Sequence, residues 1–370
     1  METVKLIPRI FSKIEDKRLS HRIEYSLDSL LFIALCTVLC GGKDYQDMEK
    51  FGKLKRSWLS NYINLGGSNP SHDTFKRVFD FINVEHFKKV LLSHTKNLLS
   101  EITERKSISI DGKKLRGESP TSLGNKGLYL MNAYLNAERL VVGQHRVSDK
   151  SNEITALPEI IKSLEISGYL IIVDAMGCQT EVADLIREMN GEYLLQVKAN
   201  QKNLLEEIEE NFMKMQTLDD TQELDYGHGR IEQRRCSTLD AQSILGPHER
   251  DRWKDIQTLI RVESQRTIKN ETSYESRYYI SSKKECAQYF NKEIRGHWRI
   301  ENNLHWVLDV VFDEDKSRVR TGNSPENMSI LRKISLQCIQ QVKDKNSLGK
   351  RRFMAALSEP YLDNILKINF

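Results

Sequence analysis

Two short apolar runs that each end on an aspartate constrain this chain more than anything else in it. Ser107-Ile108-Ser109-Ile110-Asp111-Gly112-Lys113-Lys114-Leu115-Arg116-Gly117 opens with isoleucines alternating with serines, then passes to an acid and a glycine. The alternation is the period-two pattern of a half-buried strand. Taken alone, an Asp-Gly after an apolar run reads as a turn. Tyr169-Leu170-Ile171-Ile172-Val173-Asp174-Ala175-Met176-Gly177 repeats the design with a continuous apolar run. An unpaired buried carboxylate is costly, so a strand that stops on one makes sense when the acid faces a cation at an open edge of the core. Two neighbouring strands aiming acids at one point have the geometry of a divalent-metal phosphoryl-transfer site.

Composition sets the frame for that reading. With 370 residues, 39% hydrophobic and 29% charged, the chain has the core of a soluble protein of two or three domains. The net charge of +4 does not announce a polyanion, but its distribution is informative. Residues 51–100 carry eight Lys/Arg against three Asp/Glu, and 251–300 carry eleven against seven, whereas 151–250 carry nine against nineteen. Basic flanks around an acidic centre suit a polyanion held at the ends, and equally suit solvated helical faces. The six cysteines form no CxxC pair, so neither a zinc site nor a disulfide framework is indicated, and a reducing cytoplasm is expected. Leu30 to Cys40 is too short to span a bilayer, and no membrane association is expected.

In chain order, residues 1–104 read as a helical N-terminal domain. Its helix starting near Ser71 places Phe75, Val78 and Phe79 inward, with Lys76 and Arg77 near its start. This pattern fits a DNA-binding helix-turn-helix or a plain helical bundle. From residue 107 the pattern changes to three strands, a helix, then alternating strand and helix, which is the order of a ribonuclease-H-like α/β core. That fold sets the first strand beside the fourth, and hence Asp111 beside Asp174. Residues 105–345 are assigned to this core, with a mainly β insertion at about 217–285 and a C-terminal helix at 346–370. Within the insertion, Gly227-His228-Gly229-Arg230 is either a hairpin turn or a close backbone approach that lets Arg230 reach a phosphate.

A third acid stands out in HWRIENNLHWVLDVVFDED, residues 297–315. On a helix His297, Glu301 and His305 share one face beside the apolar Ile300, Leu304 and Leu308. A Glu on such a stripe is expensive unless paired or bound to metal. The spacing does not fit the zinc motif HExxH.

Together with DGKKLRG, KSNEITALPEII, IIVDAMGCQ, LLQVKANQ, GHGRIEQRR, YYISS and RTGNSPENMSILRK, this stretch resembles the DDE transposases of bacterial insertion sequences, in their H-repeat-associated branch. PSHDTFKRVFDF resembles that branch's associated N-terminal domain. The resemblance runs from about residue 8 to about 345. It implies a DDE triad of Asp111, Asp174 and Glu301 holding two Mg²⁺ or Mn²⁺ ions, transposon-end and target DNA as partners, and a homodimer in the synaptic complex. Lys76, Arg77, Lys113, Arg116, Lys198, Arg230, Arg295 and Arg299 are the expected DNA contacts, with His228, Asn302 and His305 in auxiliary roles. One departure stands beside it. Related transposases carry Tyr-x2-Arg-x3-Glu-x6-Lys around the Glu, where this chain has Ile294, His297 and Leu308. The clamping cations must then come from elsewhere, with Arg295, Arg299 and Lys316 the nearest candidates. A structure-specific nuclease and a non-catalytic DNA-binding remnant remain as alternatives.

Overall fold

The computed structural model describes residues 11–12, 14–18, 23–99, 107–117, 128–147, 153–227, 230–269 and 271–370. Helices come first: α1 (Leu27–Leu39), α2 (Tyr45–Leu54), the single turn α3 (Arg56–Leu59), α4 (His72–Phe81) and α5 (Val84–Leu98). Ser26, Asp44, Ser71 and Asn83 each accept a backbone N–H of the turn that follows, supplying a partner the helix itself lacks.

The strands follow. β1 (Ser107–Leu115), β2 (Leu128–Leu135) and β3 (Leu140–Val147) precede α6 (Glu153–Lys162), and then β4 (Leu170–Val173), α7 (Thr180–Glu188), β5 (Glu192–Val197) and α8 (Lys202–Lys214) alternate. Next come β6 (Asp219–Gly227), β7 (Arg230–Asp240), the short α9 (Ala241–Ile244) and α10 (Pro247–Arg252), β8 (Thr258–Ile268) and β9 (Glu271–Ser281). All nine strands form one sheet in the order β3-β2-β1-β4-β5-β9-β8-β7-β6. β1 lies antiparallel to β2 and parallel to β4, with Ile110 opposite Val173. The residue that follows each of them in the chain is an aspartate. The β-rich segment extends the sheet, because β9 pairs antiparallel with β5 and the two hairpins continue outward from it.

β4 is buried on both faces, which is why it reads as an unbroken apolar run. Ile171 and Val173 join Ile108, Ile110, Ile160 and Ile186 on one side. Leu170 and Ile172 join Phe290 and Ile294 of α11 (Ala287–Arg299) on the other. A π-helical turn (Ile300–His305) and α12 (Trp306–Val310) complete that helix, and α13 (Ser324–Gln340), α14 (Leu348–Leu357) and α15 (Glu359–Asn369) end the chain.

The first helices pack against the last ones of the chain. Leu30, Phe32, Phe79 and Phe87 share a single core with Leu304, Leu331, Ile334 and Leu366. Trp58 Nε1 donates to Asp363 at 2.8 Å, and Arg352 Nη2 donates to the Val38 carbonyl at 2.8 Å. The reason is that α1 is buried on almost every side and needs neighbours all round, some of which come from α13 and α14. The segment 346–370 is two helices, not one. Among the described residues no helix is long and apolar enough to cross a membrane.

Candidate active site

β1 runs unbroken through Asp111-Gly112 to Leu115, paired with β2 along its length, so the Asp-Gly is not a turn. The glycine is there for Tyr129, whose ring lies 2.4 Å from where a Cβ on Gly112 would sit. Strand alternation sends Asp111 to the face opposite Ile108 and Ile110, toward α11. Asp174 stands one residue beyond β4, where its carboxylate accepts the Gly177 N–H at 3.4 Å and caps a single 3₁₀ turn. Glu301 is the second residue of the π turn.

These three acids line one cavity of about 210 Å³, together with Lys198, His297 and Trp298. The π turn contributes to this. Four residues of α-helix overshoot a turn of 3.6, and four residues of the wider π turn fall short of one. The two errors offset, so His297, Glu301 and His305 stay turned toward the same place. His305 Nδ1 lies 3.5 Å from the Asp111 carboxylate, and its Nε2 is 3.3 Å from Asn132 Nδ2. Burial drives the His305 pKa down to about 3, so the ring is neutral. With the Asn132 amide donating to Nε2, the Nδ1–H is left to face Asp111. His297 is also neutral, held near 4 by burial, and its Nδ1 is buried without a hydrogen-bond partner.

Asp111 is the strained member. Burial pushes its carboxyl up, the Gly112 N–H pulls it back, and Asp174, Glu153 and Glu301 push it further, to about 7. A set of hard oxygen donors that repel one another suits a divalent cation such as Mg²⁺ or Mn²⁺. The side chains do not close a cage by themselves: among the described residues no three His, Cys, Asp or Glu are gathered into a metal-holding group. Glu153 and Tyr129 escaped the sequence reading as members of this site. Glu153 sits in the KSNEIT motif at the start of α6 and accepts a hydrogen bond from the Tyr129 hydroxyl.

The expected DNA contacts divide into groups. Lys198 lines the cavity. Arg230, Arg295, Arg299 and Asn302 line an adjoining groove of about 580 Å³ that shares Glu301 and Trp298 with it. Arg234 is in that groove too, with Nε and Nη1 buried and unpartnered. Arg295 also meets Glu223 at 3.2 Å and Asp225. Lys113 is a correction: it is buried, with Nζ bound to Asp309, to Glu314 at 3.0 Å and to the His305 carbonyl at 3.4 Å, so it cannot reach DNA. Arg116 is exposed and leans toward Asp315 at 3.8 Å, outside both cavity and groove. Lys76 and Arg77 are exposed on α4, with Lys76 in a separate cleft beside Lys316 and Arg77 bonded to its own helix at the Asp73 carbonyl. His228 lies outside the described residues.

Comparison with known proteins identifies the family. The family described as Transposase DDE domain matches residues 103–338, and the DDE_Tnp_1-associated family matches residues 9–95. The Escherichia coli O157:H7 protein named "Putative transposase YncI" is 36% identical over 366 residues, covering 96% of this chain and 93% of its own. The Escherichia coli K12 protein named "H repeat-associated putative transposase YhhI" is 34% identical over 376 residues, covering 99% and 98%. A cryo-EM structure of the piggyBac transposase synaptic complex with hairpin DNA aligns with a TM-score of 0.45 at 12% identity, covering 97% of this chain and 77% of that one. By its family matches and its full-length relatives, the chain belongs to the DDE transposases, in their H-repeat-associated branch.

Proposed function

We propose that this transposase cuts DNA at the ends of a bacterial insertion sequence and joins the freed 3′ ends to target DNA, in a divalent-metal-dependent reaction in the cytoplasm. The observation that carries the proposal is the cavity lined by Asp111, Asp174 and Glu301 and opening onto an arginine-lined groove. Asp111, Asp174 and Glu301 would hold two Mg²⁺ or Mn²⁺ ions, which supply the Lewis acidity that phosphoryl transfer needs.

The remaining work falls to the chain's own groups. His305, kept neutral by burial, orients the Asp111 carboxylate through Nδ1 and is itself fixed by Asn132. Lys198 supplies positive charge at the cavity wall, and Arg230, Arg234 and Arg299 neutralise backbone phosphates along the groove. A ribonuclease-H-like core and a homodimer that brings two element ends together complete the proposal. The test incubates the full chain with DNA carrying its own element's ends in Mg²⁺. The expected products are ends cut to 3′-hydroxyls, then joined strands. Asp174→Asn should abolish both while leaving DNA binding in chelator intact. Cutting without joining would mark a nuclease, and Mg²⁺-dependent cutting retained by Asp174→Asn would remove the triad.

A further inference from the structure

A second basic surface lies away from the catalytic cavity, at the seam between the two ends of the chain. After Lys316 the chain runs extended through Arg320, with Ser317 and Val319 buried and Lys316, Arg318 and Arg320 exposed. Alternation in an extended segment sets Arg318 and Arg320 on one side, about 7 Å apart, and Lys316 lines the same cleft just before them. Facing them, Lys43 before α2 and Lys76 on α4 line the same cleft, of about 490 Å³. All five cations are exposed.

The cleft's own acids do not balance them. Asp44 is occupied in capping α2, and Asp313 takes both Lys43 at 2.6 Å and Lys316 at 2.7 Å. Arg320 spends its guanidinium on a neutral acceptor, the Gly117 carbonyl, at 2.9 and 3.1 Å. Among the described residues, no ion pair within 4.0 Å involves Lys76 or Arg318.

The two walls are bolted together. Thr321 Oγ1 donates to Asp80 of α4 at 3.0 Å, and Asn327 Nδ2 donates to the carbonyls of Phe79 and Ile82 at 2.8 and 3.1 Å. Gly322 makes the turn between them at φ +52°, a conformation that favours glycine. Lys76 and Arg318 are therefore held on one frame, although 242 positions separate them.

We infer that this cleft binds the phosphate backbone of duplex DNA, at a position separate from the catalytic cavity, with which it shares no lining residue. The inference rests on the reading of the chain as a transposase that handles DNA. Its contacts are electrostatic and carry no base recognition. The N-terminal helices thus contribute to DNA binding as half of a composite surface, and the C-terminal half comes from the segment that follows the Glu301 helix.

The test measures binding of the full chain to a short mixed-sequence duplex across a salt series, in chelator so that cutting plays no part. Each phosphate neutralised by the protein contributes about 0.9 to the log–log slope through the counterions it releases. Lys76→Ala and Arg318→Ala should each shrink the slope by about 0.9, and the double variant by about 1.8. Thermal unfolding should stay at the wild-type temperature, and Lys202→Ala on α8 should leave the slope unchanged. A double variant with the wild-type slope overturns the cleft and leaves the transposase reading standing, as would a wild-type chain with no salt-sensitive duplex binding if it still cut DNA. Failure of the wild type to cut in Mg²⁺ would sink the proposed reaction, while the slopes would still decide the cleft.

Discussion

Two carboxylates served by β1 lie on the same side of the sheet and are treated in opposite ways. Asp111 opens on the cavity, and Lys113, two residues on and hence on the same face, reaches inward to Glu314. Glu314 is the more deeply enclosed, at 1% exposure. Burial alone pushes its carboxyl up, yet Lys113, Lys333 and Arg332 overcome that and bring it down to about 2. Asp111 is only partly enclosed, yet burial pushes its carboxyl up and, with no cation to oppose it, the acids around it add to that push, to about 7. Burial therefore does not separate an acid that holds the fold from one kept for chemistry. Its partners do: the structural acid has cations, and the active-site acid has other acids.

Breaking the structural set should give the larger effect. Glu314→Gln strands Lys113, Lys333 and Arg332 around an uncharged amide. Losing one partner of a buried ion pair costs about 3–5 kcal/mol, read as a fall in the urea midpoint at neutral pH. The pH dependence follows from the sign of the shift. A carboxyl whose folded pKa lies below its unfolded 4.5 contributes stability above that value and loses it as pH falls toward about 2. The gap between wild type and variant should therefore be full at neutral pH and narrow between 4.5 and 2. A constant gap across that window would show that the loss is one of packing.

Removing the charge at the other acid should act with the opposite sign and a smaller size. Asp111→Asn takes away a carboxylate that burial and three acids disfavour, so in chelator at neutral pH it should stabilise the chain by about 1 kcal/mol. The same change should abolish cutting. If instead it destabilises the protein as much as Glu314→Gln does, Asp111 is a structural acid and the contrast fails.

Sequence made the two strands legible because each carries its own local pattern, and the parallel pairing of β1 with β4 followed from the order of elements. Lys113 misled for a physical reason. Strand alternation tells that it shares a face with Asp111, but not that Glu314, 201 positions away, waits beneath it. The joint helical core was hidden for the same reason, since the contact between Trp58 and Asp363 has no local signature. The π turn was invisible as well, because α and π turns use the same apolar residues. Only the structure shows that it keeps His305 beside Asp111 after His297 and Glu301 have turned the same way.

Arg230 gives the finest test, because here the groove is set against the fold with no stability change to confuse them. It opens β7, paired across to Gly227 and Ile268, and its backbone would serve a hairpin turn whatever the side chain. Among the described residues, the one ion pair of its guanidinium is with Glu232, at 3.9 Å. That same carboxylate also meets Arg234 at 3.6 Å and Arg266 at 3.5 Å. One acid shared among three arginines leaves positive charge over, and the groove they line runs to Glu301. Truncating an exposed member of that set costs the fold little, within about 0.5 kcal/mol. Arg230→Ala should therefore keep the wild-type unfolding midpoint, lose about 0.9 from the salt slope of DNA binding, and cut more slowly. A variant that binds and cuts like wild type would remove Arg230 from the DNA contacts and leave the groove's other arginines to make them.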